Sequence, residues 1–139
     1  DSSDHRRIAA VCRAGSPYPE AAVGARQASM SSMLQAVTDR ELDWVVETST
    51  APVLVEFWKP GCGHCRALMM ELERLQEEMR STLLVLAMNV DENFQIPAEL
   101  EVSSLPALAL YRYGEFVKFI GGLGKKDEIA QQVRFALGR

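Results

Sequence analysis

Cys62 and Cys65 stand with two residues between them, just past the apolar run Val53-Leu54-Val55-Glu56-Phe57-Trp58. That run has the length and composition of a buried strand. Arg66 to Met79 reads as a helix, with Leu68, Leu72, Leu75 and Met79 on one face at helical spacing. The thiols therefore fall at a strand-to-helix turn. Backbone N–H groups there lack intrahelical partners, and the helix dipole presents its positive end. That environment favours a thiolate, the nucleophilic form of cysteine. A C-x-x-C so placed is first a redox pair.

The rest of the chain alternates around this turn. Thr38-Asp39-Arg40-Glu41 has the form of a capping box, with Thr38 as N-cap and Glu41 at the third helical position. It predicts a short helix to about Glu47. Strands are expected over 52–58 and 83–90. A loop over 91–102 with a short helix near 97–100 should follow. Ala107–Tyr113 and Glu115–Ile120 read as a hairpin about Gly114. Lys126–Leu137 closes the chain, with Ile129, Val133 and Leu137 facing inward. The order α-β-α-β-α-β-β-α implies an α/β fold: a central mixed sheet with helices on both faces.

Residues 1–35 differ. They hold Arg6, Arg7, Arg13 and Arg26, no lysine, and no sustained apolar period. We expect a flexible N-terminal extension, native or left by processing, and a folded domain over 36–139. At 139 residues one domain is expected, and a hydrophobic content of 47% suffices for a core. The net charge is −4, and no basic stripe appears, which argues against nucleic acid as a partner. No apolar run approaches the ~18 residues of a membrane span. Three cysteines, two of them in one motif, are too few for a disulfide framework. A cytoplasmic location is the default expectation, with a periplasmic or organellar one the alternative.

The residues suggest roles. Cys62, nearest the helix start, is the expected attacking thiol, and Cys65, one turn deeper, is the resolving one. His64 lies between them. An imidazolium there favours the Cys62 thiolate, hence the dithiol form, and makes the disulfide a stronger oxidant. Its alternative is a solvated surface residue. Glu56 interrupts an apolar strand six residues before Cys62. Buried, it would resist ionisation and exchange a proton with Cys65. On a strand edge it would be a solvated carboxylate. Pro106 enters a strand at its first position, where proline is tolerated, and either peptide isomer is open.

Together these pieces resemble the thioredoxin family from about Leu42 to Leu137. They are Pro52 to Trp58, the Cys62-Gly63-His64-Cys65 turn, Asn89-Val90-Asp91, Leu105-Pro106, Gly114-Glu115 and Gly122. The resemblance implies the thioredoxin fold and exchange of protein disulfides. It implies a cis-proline at Pro106 beside the thiols and backbone bonds from Leu105 to a substrate strand. It also makes Glu56 the family's buried acid, Trp58 the motif's first tryptophan, and Gly122 a glycine of the substrate surface. Gly61 stands where the family usually has tryptophan, so an aromatic contact surface is missing. Gly63-His64 looks like the protein disulfide isomerase turn. Glu56 replaces the usual Asp, Ala87 a lysine near it, and Met70 the helix-kinking proline. No organic cofactor is expected. The expected partners are protein disulfide or dithiol substrates and a thiol reductase or oxidant, with the chain a monomer that touches no membrane.

Two other readings compete. A zinc site needs four ligands, and Cys12 and His5 could complete the set. Haem attachment needs His after the second cysteine, where Arg66 stands. A thioredoxin-like module that holds partners without catalysis is the remaining alternative.

Overall fold

The computed structural model describes residues 34–121 and 124–138. Its elements are β1 (Gln35–Ala36), α1 (Asp39–Thr48), β2 (Val53–Trp58), α2 (Gly63–Glu78), β3 (Leu84–Asn89), α3 (Gln95–Glu99), β4 (Ala107–Arg112), β5 (Glu115–Ile120) and α4 (Lys126–Ala136). The strands form one five-stranded sheet in the order β1-β3-β2-β4-β5. β1, β3 and β2 run parallel, β4 is antiparallel to β2, and β5 returns antiparallel to β4. This is the mixed α/β arrangement expected.

β1 was not among the expected elements. Leu34 and Gln35, assigned above to the extension, belong to the folded unit: Leu34 is buried, and Gln35 pairs with Leu86. A two-residue strand is too short to show a period. The rest of the extension lies outside the described residues.

Strand alternation divides β2 between two layers. Leu54, Glu56 and Trp58 share one face. Leu54 and Trp58 belong to a core cluster with Leu68, Leu72 and Leu75 of α2 and Ile129 and Val133 of α4. Val53, Val55 and Phe57 point the other way. Tyr111, the β4 partner of Val53, feels the charges of Asp43 on α1 and Glu99 on α3, so those helices lie on this second face. Leu42, Val45 and Val46 form the buried stripe of α1.

Polar ties set the helix positions. The capping box forms as the sequence predicts: Glu41 N–H donates to Thr38 Oγ1, and Thr38 N–H donates to the Glu41 carboxylate. Asp39 does something local sequence does not reveal. Its carboxylate accepts from Gln95 N–H at 2.9 Å and Ile96 N–H at 2.8 Å. It thereby caps α3, whose own N-cap, Phe94, offers no side-chain acceptor. Asn93 returns the contact by accepting from Asp39 N–H at 2.8 Å. Gln76 on α2 donates to Leu83 C=O and accepts from Val85 N–H, so its amide fixes the helix against the start of β3. None of the described helices is long and apolar enough to cross a membrane.

Candidate active site

The redox turn is built where β2 ends and α2 begins. The helix starts at Gly63, three residues earlier than apolar spacing suggests, so both inter-cysteine residues lie in its first turn. Cys62 is the N-cap. Its Sγ accepts from Cys65 N–H at 3.1 Å, in the place usually taken by a serine or aspartate oxygen. A thiolate would strengthen this bond, because charge-assisted hydrogen bonds are roughly twice as strong as neutral ones. Ahead of the cap, Cys62 N–H donates to Lys59 C=O in a tight turn. Gly61 takes φ +85° within that turn, with open space around the position of a Cβ. Backbone conformation rather than crowding therefore selects glycine here.

Cys62 and Cys65 are joined as a disulfide, with Cα atoms 5.2 Å apart. Their surroundings differ. Cys65 is 1% exposed and inside the fold, whereas Cys62 is partly exposed. His64, between them, is exposed.

Glu56 is fully buried, and neither carboxylate oxygen has a hydrogen-bond partner among the described residues. Its neighbours across the sheet are Ala87 on β3 and Leu108 on β4, both apolar. Ala87 thus sits where a lysine would have supplied a counter-charge. Burial pushes the Glu56 carboxyl up from its ordinary 4.5 to about 8, with a smaller push from the negative charge of Glu73 on α2. The solvated strand-edge alternative is excluded by the position of β2 between β3 and β4. Glu56 faces the layer of α2, the helix whose first turn holds Cys65.

Cys62 opens on a cleft of about 470 Å³, lined also by Lys59, Asp91, Ser104 and Leu105. The Leu105–Pro106 peptide bond is cis, which the sequence left open. Pro106 is buried and borders an adjoining cleft. Cys62 and Leu105 are thus brought to one cleft from segments distant in sequence, the β2–α2 turn and the α3–β4 connection. Trp58 is half-buried against the core cluster on the α2 side, and Gly61 is exposed beside Cys62. Gly122 lies outside the described residues. Cys12 and His5, on which a zinc site would depend, do so too. Lys59 and Asp91 are the charged members of the Cys62 cleft, and the sequence assigns neither a site role, although Asp91 belongs to the Asn89-Val90-Asp91 piece of the resemblance. Lys59 adjoins the motif, whereas Asp91 reaches the cleft only through the β3–α3 connection.

Comparison with known proteins agrees with this geometry. The family model described as Thioredoxin matches residues 33–134. A thioredoxin of Listeria monocytogenes is 37% identical over 101 residues, covering 73% of this chain and 96% of its own length. A thioredoxin of Rickettsia bellii is 35% identical with the same coverage, and one of Haemophilus influenzae is 35% identical over 73% of this chain and 94% of its own.

Proposed function

The chain belongs to the thioredoxin family and is a thiol–disulfide oxidoreductase acting on protein disulfides, and from that premise we propose that Cys62 is its attacking sulfur and Cys65 its resolving one. The carrying observation is the asymmetry of the pair: Cys62 caps α2 and meets the cleft, while Cys65 is buried. In the reduced protein, the Cys62 thiolate attacks one sulfur of a substrate disulfide. A Cys62–substrate disulfide forms, and the other substrate sulfur leaves as a thiolate. Cys65, deprotonated, then attacks Cys62 Sγ and releases the second substrate thiolate. The substrate gains two electrons and two protons, and the protein keeps the Cys62–Cys65 disulfide. The reverse sequence oxidises a substrate dithiol.

Deprotonating a buried thiol needs a base, and Glu56 is the proposed one, acting directly or through water. A carboxyl with a pKa of about 8 lies near that of an ordinary thiol, so proton transfer between them is close to balanced. His64 is proposed to tune the pair. Carried in the first turn of α2, an imidazolium favours the Cys62 thiolate and hence the dithiol state. The reduction potential should then lie above the thioredoxin reference of about −270 mV, toward the disulfide isomerase reference of about −180 mV. Leu105 and Pro106 are the proposed seat of the substrate strand, with Gly61 and Trp58 bordering the motif. A reductase or an oxidant completes the cycle, and the cytoplasm is the proposed setting.

Trapping tests the assignment. Replacing Cys65 with Ser should accumulate mixed disulfides between Cys62 and protein substrates, visible without reductant and cleared by dithiothreitol. Replacing Cys62 with Ser should abolish them. If Cys62→Ser traps substrates and Cys65→Ser does not, the roles are reversed. If neither traps, the non-catalytic module is the better reading.

A further inference from the structure

A second cleft, of about 340 Å³, adjoins the one at Cys62. The two share Val102, Ser103 and Ser104 and meet around the Leu105–Pro106 bond. The second leads away from the thiols between the α3–β4 connection and the end of β5. Its lining is largely apolar, including Val102, Pro106, Ala107 and Phe119, with Glu101 as its charged member. Phe119 lies on β5, at the edge of the sheet, and is 38% exposed.

Phe119 is held in place. It pairs with Ala109 on β4, and its ring meets that of Phe116 edge to face at 5.1 Å. Phe116 in turn meets Tyr111 at 5.8 Å. The pairing register shifts between Leu110 and Tyr111, so Tyr111 faces Phe116 and Val117 is the extra residue. That bulge brings Phe116 onto the face of Tyr111 and Phe119. The result is a fixed aromatic stripe with Phe119 at its cleft end.

We propose that Phe119 is a specificity residue, and that the second cleft takes an apolar or aromatic side chain from the substrate polypeptide near its reacting cysteine. The inference rests on the oxidoreductase reading, because it is the reaction at Cys62 that brings a substrate chain into the first cleft. Continuity between the clefts then carries that chain into the second. Ala109, opposite Phe119, follows Pro106 by three residues. At ~3.3 Å per residue this is roughly 10 Å, the reach of about three residues of extended substrate. An apolar side chain at that spacing would cover Phe119 and the proline ring, whereas an acidic one would meet Glu101.

Paired peptides test this. Each carries one cysteine as a mixed disulfide with glutathione, and the two differ only in Phe or Ser three residues from it, placed on either side in separate sets. The readout is the ratio of kcat/KM for Phe over Ser peptides. In one of the sets, the wild-type ratio should be about ten, the usual scale for filling an apolar pocket. Phe119→Ser should bring it close to one, while Val117→Ser, on the same strand but outside both clefts, should keep it. A wild-type ratio of one in both sets, or a ratio unchanged by Phe119→Ser, overturns the proposal and leaves the redox reading standing. Failure of the wild type to reduce any peptide would instead overturn the oxidoreductase reading. Sedimentation of wild type and Phe119→Ser should give monomers. A wild-type dimer lost in Phe119→Ser would show that this face receives a second copy of the chain, and would also overturn the proposal.

Discussion

Replacing Glu56 with Gln should change how stability depends on pH, by an amount that follows from burial. The carboxyl is raised from 4.5 to about 8. Between those values the folded protein holds a proton that the unfolded chain has released, so folding stability falls as pH rises across the window. The penalty is absent below pH 4.5 and complete above about 8. The 3.5-unit difference between the two values, at ~1.4 kcal/mol per unit, gives a full penalty of about 5 kcal/mol. Gln keeps the shape and cannot ionise. Other titrating groups are common to both proteins and cancel in the difference. Urea unfolding of the disulfide forms at pH 5 and pH 9 measures it, with the thiols unable to titrate. The stability advantage of Glu56→Gln over wild type should grow by about 4 kcal/mol from pH 5 to pH 9. A difference that moves by less than ~1 kcal/mol would mean that water or local opening solvates the carboxylate, and the account of Glu56 as a buried proton carrier would fail.

Asp39→Ala removes both acceptors that cap α3 and should cost ~1–3 kcal/mol in unfolding experiments. Hydrogen exchange should quicken first at the Gln95 and Ile96 amides, which lose their acceptor. His64→Ala should lower the reduction potential of the Cys62–Cys65 pair by ~30 mV or more, about a tenfold change in equilibrium with glutathione. An unchanged potential would return His64 to an ordinary surface residue.

Several parts of this fold can be read from the chain because their causes are local. The Thr38/Glu41 capping box, the apolar face of α2 and the hairpin about Gly114 each depend on residues a few positions apart. Glu56 was conspicuous for the same reason, as a carboxylate inside an apolar strand. What could not be read depends on contacts between distant segments. β1 is defined by its pairing with β3, not by a pattern of its own. Asp39 looks like an ordinary first-turn acid until α3 is brought against it across more than fifty residues. The start of α2 is set by Cys62 as a cap, and Gly63 and His64 carry no apolar period to announce it. The place of Phe119 needs both the β4–β5 register shift and the meeting of two clefts. The isomer at Leu105–Pro106 likewise belongs to the folded chain.

In the proposed reading, Cys62 and Cys65 form a reversible redox pair tuned toward oxidation by its own turn. Equilibrating the protein with glutathione buffers of known poise, and counting free thiols at each, measures it most directly. One two-electron transition is expected, with a potential above about −270 mV and toward about −180 mV. A transition at or below the thioredoxin reference would contradict the tuning. The absence of any reversible disulfide between these two cysteines would contradict the claim itself.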